Sequence, residues 1–337
     1  MNAEFRPWAI DHIDTPGEHI AERDDAVFAH ATARGLTIMT PIVDIASQVF
    51  KMHPEESVLF MTRVVNMKSS QFSPQFDPMC GKYANDWTLR SDRSSNTMMT
   101  LAEVPWSRFH TVESRQVVVG PQMRVSYMDY IKDAPIDTFR IPDKDAFFLL
   151  AKHFLYERLF NKHGARIIGD IQALYEARSC DVNAIYANMD PFEQQISRKI
   201  AAGENGARAF DNAIGKVGMR WVCQRSMTLA SDIFSDHLFT HNIPYASQFN
   251  GSSIVVDPSM YSVKPPTNSV ATSPMRRLGC LLSQMNLLNH AHEGSPLFQA
   301  PELEMLMETP KVDESMRQFL FSKMDHAHSA IGKSRYV

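Results

Sequence analysis

Glycine and cysteine are both scarce in this chain. Its 337 residues include 14 glycines and four cysteines. Neither GxGxxG nor GxxxxGK[ST] occurs, so a glycine-rich loop that cradles phosphate groups is not expected. The cysteines never form a CxxC pair, which argues against a zinc ribbon and a small disulfide scaffold and favours a reducing compartment. They are Cys80, Cys180, Cys223 and Cys280.

The chain also lacks an excess of positive charge and a long apolar run. Its formal net charge is −4, so a general polycationic surface for nucleic acid is not expected. No stretch approaches the roughly 18 consecutive apolar residues that indicate a membrane helix. Residues 1–19 contain no basic region followed by an apolar run, so no secretory signal is expected either.

What the chain does contain is the composition of a folded soluble protein. Hydrophobic residues make up 44% and charged residues 21%. The length favours two domains, or one large fold with extensions. Methionine and phenylalanine are each present 20 times, which predicts a packed core whose irregular gaps are filled by adaptable methionine side chains.

The longest periodic segment covers residues 141–180. Pro142 suits a first helical position, and Asp143 and Asp145 complement the positive end of the helix dipole. Apolar residues follow at helical spacing, and Gly164 ends or bends the helix before a second periodic run. If the two runs are continuous, they form a spine about 50 Å long.

The N-terminal part predicts an arm followed by a small strand–helix unit. Residues 1–30 carry seven acidic side chains and two arginines in an irregular pattern, which indicates an arm that becomes ordered on something else. Residues 36–52 pair a strand-like piece with a helix, for which Thr40 is the expected N-cap and Pro41 the first residue.

Residues 57–130 are expected to be rich in strands. The runs 57–65 and 115–119 are β-branched, and 122–127 alternates between apolar and polar residues. Between them, residues 66–114 form a polar, turn-rich excursion that carries aromatic side chains. An extended two-stranded arm explains this excursion better than a structureless loop. Its aromatics either dock on a neighbouring molecule or fill the chain's own core. Its basic residues are also compatible with binding of single-stranded nucleic acid, although nearby aspartates reduce the net positive charge.

One pair of histidines has the spacing of a metal chelate. His237 and His241 are four residues apart on a predicted helix over 227–242, with Asp236 and Asp232 nearby. No HExxH glutamate is present, and no third ligand can be identified. The helix dipole alone also favours histidine near a helix C-terminus, so both explanations stay open.

Other candidate residues have simpler explanations. Asp257 follows a buried strand, where α/β enzymes place catalytic groups, but Asp before Pro is also a common turn former. Asp11, His12 and Asp14 could bind a metal, but a solvated face is the simpler explanation. His153 and His163 are ten residues apart and are expected to be packed or surface histidines. A solvated surface is the simpler explanation for two further groups, and no Ser/His/Asp or Cys/His triad can be assembled. These groups are His290, His292 and Glu293, and Asp325, His326 and His328.

The C-terminal part predicts a turn–strand–turn unit over 250–262, a Pro/Ser-rich linker over 262–275, and amphipathic helices over 275–289, 301–308 and 313–330.

The order of these parts resembles the major capsid proteins of tailed phages, which have the HK97-like fold. The resemblance rests on the acidic arm, the excursion, the spine helix, the mixed lobe and the segment from Gly251 to Tyr261, and it covers about two thirds of the chain. The linker and helical tail depart from that pattern.

The resemblance implies an α+β fold with an N-terminal arm, an extended β-hairpin loop, a long spine helix and a mixed α/β axial lobe. We expect the arm and a short helix in residues 1–50, and a β-rich region with the extended loop in 51–140. The spine helix and the lobe would then occupy 141–261, and the linker and helical tail 262–337.

The implied function is a self-assembling viral shell subunit that packages a genome. Its partners would be copies of itself in hexamer- or pentamer-type rings and other shell proteins, with nucleic acid only as enclosed genome and no membrane. It would occur in the virion after assembly in the host cytoplasm. No enzymatic activity and no catalytic, cofactor or metal residue is expected. Two alternatives are a metal-dependent hydrolase of α/β type that uses His237 and His241, and a non-catalytic accessory subunit of a large complex.

Overall fold

The structure is a computed structural model, and fourteen segments of the chain are described from it. They are residues 7–11, 24–67, 87–89, 94–109, 111–119, 124–125, 129–132, 144–160, 218–249, 252–265, 268–269, 272, 274 and 277–334.

An antiparallel five-stranded sheet lies at the centre of the N-terminal half. Strands β3 and β4 pair along nine residues, from Gly35 opposite Pro105 to Val43 opposite Thr97. A Cβ atom at Gly35 would lie 2.0 Å from the Val104 carbonyl oxygen, so only glycine allows this close approach. The sheet contains β2 (Phe28–Ala31), β3 (Gly35–Val43), β4 (Ser95–Pro105), β5 (Ser114–Val118) and the short β6 (Arg124–Val125), which pairs with β4.

Two smaller sheets accompany the main one. Strand β1 (Trp8–Asp11) runs parallel to β7 (Asp129–Lys132). Strands β8 (Tyr245–Phe249), β9 (Ser252–Val256) and β10 (Asn268–Ser269) form a three-stranded antiparallel sheet with β8 in the middle.

Seven helices surround these sheets in the part of the chain that the structure describes. They are α1 (Ile45–Lys51), α2 (Pro54–Met67), α3 (Lys144–Phe160), α4 (Met219–Thr240), α5 (Leu278–Glu293), α6 (Ala300–Glu308) and α7 (Glu314–Ser334). The fold is therefore α+β, as predicted. Among the described residues, none of these helices is long and apolar enough to cross a membrane.

The run 57–65 is helical, so the predicted strand there is wrong. Pro54 opens α2, and Glu55 and Glu56 lie in its first turn, next to the positive end of the helix dipole. Phe60 and Met61 are buried, and the helix packs against α7. The β-branched residues of this run are therefore placed by tertiary packing rather than by their strand propensity.

The predicted helix start at Thr40 is also wrong. Strand β3 continues through Pro41 to Val43, and α1 begins at Ile45. The Asp44 side chain caps it by accepting a hydrogen bond from the Ser47 backbone N–H at 2.9 Å.

The longest part of the excursion that the structure describes contains a core strand. Residues 95–105 form β4, which pairs with β3 on one side and β5 on the other. Met98, Met99 and Ala102 are buried there. An extended arm is thus wrong for this stretch, and the rest of the excursion lies largely outside the described residues.

The predicted spine is confirmed as a helix over 144–160. Its inward residues Leu150 and Phe154 are fully buried. The second run predicted for this stretch lies outside the described residues.

The C-terminal helices contribute directly to the core. The predicted helices over 275–289, 301–308 and 313–330 are confirmed as α5, α6 and α7, and the helix over 227–242 and strand at 254–256 as α4 and β9. Helix α5 is buried from Leu278 to Asn289 and packs on α1 and β8. One hydrophobic cluster extends from Trp8 to Ala327, so the two halves of the chain share a core.

Candidate active site

The end of strand β1 and the segment before β2 bring acidic residues to one edge of the main sheet. Trp8 is buried and pairs with Val27 through two backbone hydrogen bonds of 2.7 and 2.9 Å. This pairing is antiparallel. Strand β1 ends at Asp11.

The end of β3 fixes the other side of this acidic segment. The Val43 N–H donates to the Asp24 carbonyl at 2.7 Å, and Asp25 forms a β-bridge with Ile42. The Asp24 side chain is only 4% exposed, and Asp25 is half-buried. Two consecutive aspartates therefore lie on the segment that pairs with the end of β3.

A further carboxylate follows directly on β3. Asp44 is buried, and its two oxygens accept hydrogen bonds from the Ser47 N–H and the Ser47 hydroxyl. Burial raises the pKa of Asp44 above its ordinary value, and the hydrogen bonds from Ser47 oppose that shift. Asp44 thus serves α1 as its cap.

Helix α5 braces the same strand end from the other side. The fully buried Gln284 side chain donates from Nε2 to the Val43 carbonyl oxygen at 3.0 Å. The Val43 main chain is therefore held by Gln284 of α5 at its carbonyl oxygen and by Asp24 at its N–H.

The donor chemistry of the acidic edge fits a hard divalent cation. Carboxylate oxygens are the ligands that Mg²⁺, Mn²⁺ and Ca²⁺ prefer. In the described segments, no three side chains of His, Cys, Asp or Glu come together as a set that could hold a metal ion. Asp24 and Asp25 are the described carboxylates of this edge.

A third histidine, from another helix, lies near the predicted histidine pair. The rings of His237 and His241 lie 4.1 Å apart between centroids, and that of His290 on α5 lies 6.1 Å from His241. His241 Nδ1 lies 2.8 Å from the His237 carbonyl oxygen. Burial, followed by the charges of His241 and His290, lowers the pKa of His237 to about 4. The third histidine could not be found from sequence, because it is 49 residues away from His241.

The aspartates beside this histidine pair belong to an ion network. Asp236 binds Arg115 of β5 at 3.1 Å and also pairs with Lys264. Asp232 lies one turn earlier, and burial raises its pKa against the opposing charges of Lys264 and Arg115. Asp236 therefore connects α4 to β5 and to the segment after β9.

The other candidate residues have structural contacts. Asp257 caps a 3₁₀ turn over Pro258–Met260 and accepts hydrogen bonds from the Ser259 N–H and hydroxyl. His153 is buried, with Nδ1 2.8 Å from the Phe109 carbonyl oxygen. His328, expected at a solvated terminus, instead contacts the Phe50 carbonyl oxygen of α1 at 3.0 Å.

The remaining candidates are exposed or undescribed. His292, Glu293, Asp325 and His326 are exposed, as expected. His12, Asp14 and His163 lie outside the described residues.

Sequence reasoning missed Asp24 and Asp25, which it counted only as charges of an acidic arm. The available signal was an Asp-Asp pair directly before the apolar run Ala26–Ala29. A strand start at this position would have placed one of the two carboxylates toward the core, since neighbouring residues of a strand face opposite sides.

Comparisons with known proteins connect the chain to exoribonuclease-type structures. No family model and no curated protein sequence matches it. Among solved structures it is similar to apo RNase R of Mycoplasma genitalium, with 12% identity and a TM-score of 0.46 over 96% of this chain and 55% of that one. It is also similar to yeast Ssd1, a pseudonuclease, with 13% identity and a TM-score of 0.49 over 97% and 43%.

A third similar structure is an active-site mutant of the Dss1 exoribonuclease from Candida glabrata, with 14% identity and a TM-score of 0.47 over 98% of this chain and 46% of that one. The chain thus spans about half the length of these structures. The same Mycoplasma RNase R is also similar in its complexes with ribose-methylated single-stranded RNA and with double-stranded RNA. Because the TM-scores are below 0.5 and the identities at most 14%, these similarities assign no activity or substrate to this chain.

These similarities correct the expectations that followed from the capsid resemblance. The HK97-like fold, the viral shell function, the self-assembling rings and the absence of enzymatic activity are all wrong, since the similar structures are exoribonucleases and a pseudonuclease. The expected partners are wrong too, since the similar structures include RNA complexes rather than shells. The alternatives of a metal-dependent hydrolase and of a non-catalytic accessory subunit fit these structures better. The physical source of the error is β4, whose polar and turn-rich surroundings imitate an arm although the strand itself is buried.

Proposed function

We propose that this chain is a metal-dependent nuclease that acts on RNA, with the buried Asp24 as a metal-binding carboxylate. The observation that carries the proposal is the buried position of Asp24 on the segment that pairs with the end of β3. Burying a carboxylate is costly unless a cation or hydrogen bonds compensate its charge.

The chemistry of such a site suits phosphodiester hydrolysis. A divalent cation bound there would stabilise charge on phosphoryl oxygens and lower the pKa of a bound water. Asp24 would supply negative charge that attracts the cation. The hydrogen bond from Val43 fixes the Asp24 main chain, and the buried surroundings strengthen the electrostatic attraction.

RNA is the substrate class to test first. The similar RNase R structures were determined with single-stranded and double-stranded RNA, and this gives the experiment its two substrates. A single-stranded DNA of the same sequence provides the comparison that tests for recognition of the ribose 2′-hydroxyl.

The test measures shortening of an end-labelled RNA by the purified chain with Mg²⁺ or Mn²⁺. We expect activity that is lost with a chelator and falls at least about 100-fold in Asp24→Asn, because one ligand charge is removed from the site. Asp257→Asn is the matched control, since Asp257 caps an exposed turn, and its activity should equal that of the unmodified chain.

Two results would contradict the proposal. Undiminished activity in Asp24→Asn would show that the Asp24 carboxylate is not required for cleavage. RNA binding without any cleavage under both metals would indicate a non-catalytic RNA-binding protein instead.

A further inference from the structure

Three histidine rings lie close to one another at the C-terminal ends of α4 and α5. His237 and His241 belong to the last turn and cap of α4, and His290 to the last turn of α5. The centroid distances are 4.1 Å between His237 and His241 and 6.1 Å between His241 and His290. We call these three side chains the histidine junction.

The hydrogen bonds of the junction suit neutral rings. His241 Nδ1 lies 2.8 Å from the His237 carbonyl oxygen, so Nδ1 carries the proton and Nε2 is an acceptor while the ring is neutral. The Nδ1 atom of His290 is buried and has no hydrogen-bond partner among the described residues. A proton added to that nitrogen would find no acceptor.

The charged groups around the junction do not compensate added positive charge. Those that act electrostatically on His237 are His241 on its own helix and His290 on α5. The neighbouring carboxylate Asp236 is engaged by Arg115 and Lys264. On α5, His292 and Glu293 are exposed at the helix end. The helix dipoles favour positive charge there, but burial has the larger effect, because the pKa of His237 is lowered to about 4.

We propose that the histidine junction is a pH-sensitive contact, in which protonation of His237 and His290 separates the C-terminal ends of α4 and α5. The rings pack together while His237 and His290 are neutral. Protons added to His237 and His290 would lie beside the His241 ring, whose centroid is 4.1 Å from that of His237 and 6.1 Å from that of His290. The partly open state, in which each ring is hydrated, takes up these protons instead.

The contacts next to the junction define what would open. The chain leaves α4 through Asn242, which has a positive φ of 56°, and enters β8. Helix α5 holds this connection through Asn286, which donates to the Pro244 carbonyl oxygen at 2.9 Å, and through Ser283, which accepts from the Ala246 N–H at 3.1 Å. Opening of the junction would therefore expose the amide N–H groups of Ile243, Tyr245 and Ala246.

The test is amide hydrogen exchange of the full chain at pH 7.5 and pH 5, corrected for intrinsic rates. The folded pKa of His237 is below that of the unfolded chain, so protons bind the open state preferentially and protection is lost on acidification. We expect protection of residues 243–246 to fall on the order of tenfold. In the double variant His237→Gln and His290→Gln, which keeps polar side chains that cannot become charged, this pH dependence should disappear.

His326→Gln on α7 is the control, because His326 is exposed, and it should retain the full pH dependence. Single variants provide a second measure if the double variant is unstable, since each should remove part of the effect. The proposal is overturned if protection of 243–246 does not change between the two pH values, or if the histidine variants keep the pH dependence of the unmodified chain.

Discussion

At the scale of single residues, buried polar side chains determine how α5 is seated. Asn286 is fully buried. Its Nδ2 donates to the carbonyl oxygens of Pro244 and Phe298, both at 2.9 Å, and its Oδ1 accepts from the Phe298 N–H at 2.7 Å. This one side chain connects α5 to the segment between α4 and β8 and to the segment that follows α5.

Asn286→Ala should therefore be strongly destabilising. It leaves three backbone groups buried without their partner, and each such group costs about 1–3 kcal/mol. We expect the free energy of unfolding to fall by about 3–4 kcal/mol in urea titrations. Ser283→Ala, on the same buried helix but with a single hydrogen bond to Ala246, should cost only about 1 kcal/mol. Equal losses in the two variants would show that hydrogen bonds do not account for the seating of α5.

At the scale of secondary-structure elements, the junction between β3 and α1 shows how one residue ends a strand and begins a helix. Asp44 receives two hydrogen bonds from Ser47 and donates its own N–H to the Asn96 carbonyl oxygen of β4 at 3.1 Å. It thus belongs to the sheet through its main chain and to the helix through its side chain.

Two substitutions of Asp44 distinguish the effect of its hydrogen bonds from the effect of its charge. Asp44→Ala should lower the free energy of unfolding by about 1 kcal/mol or more, because a helix N-cap is lost. Asp44→Asn keeps an acceptor oxygen without the buried charge. Its free energy of unfolding should therefore be at least about 1 kcal/mol higher than that of Asp44→Ala. Thermal and urea unfolding at neutral pH compare the three proteins, and an Asn variant no better than the Ala variant would argue against the capping role.

At the scale of the whole molecule, the C-terminal helices complete a core that starts with the first described strand. Helix α7 packs against α2 and α1, and its His328 contacts the Phe50 carbonyl oxygen. The Lys323 ammonium bonds Glu302 at 2.7 Å and the Leu297 carbonyl oxygen at 2.8 Å. Helix α7 is therefore fixed along its length by residues from both ends of the chain.

Two neighbouring residues of α7 test this arrangement. Leu320 is fully buried, whereas Phe321 is 43% exposed. Leu320→Ala should lower the free energy of unfolding by about 2–5 kcal/mol, as cavities in a packed core do, in one cooperative transition. Phe321→Ala should change it by less than about 1 kcal/mol. If Leu320→Ala unfolded α7 alone, in a separate transition, the shared core would be contradicted.

The sequence by itself determined the elements whose pattern depends on local contacts. The apolar spacing predicted α3, α4 and the three C-terminal helices, because a helix repeats over four residues and its buried face is visible in a short window. The same local logic predicted the turn at Asp257, since Asp before Pro forms such turns by itself.

Only the tertiary structure decided the elements that depend on distant partners. Residues 57–65 are a helix because α7 covers them, and β4 is a buried strand because β3 and β5 lie on either side. Asp24 could be identified as a candidate ligand only from the hydrogen bond between the Val43 N–H and the Asp24 carbonyl oxygen. His290 lies beside His241 only because the tertiary structure brings the end of α5 near the C-cap of α4. Such contacts join residues tens to hundreds of positions apart, and no local pattern in the sequence records them.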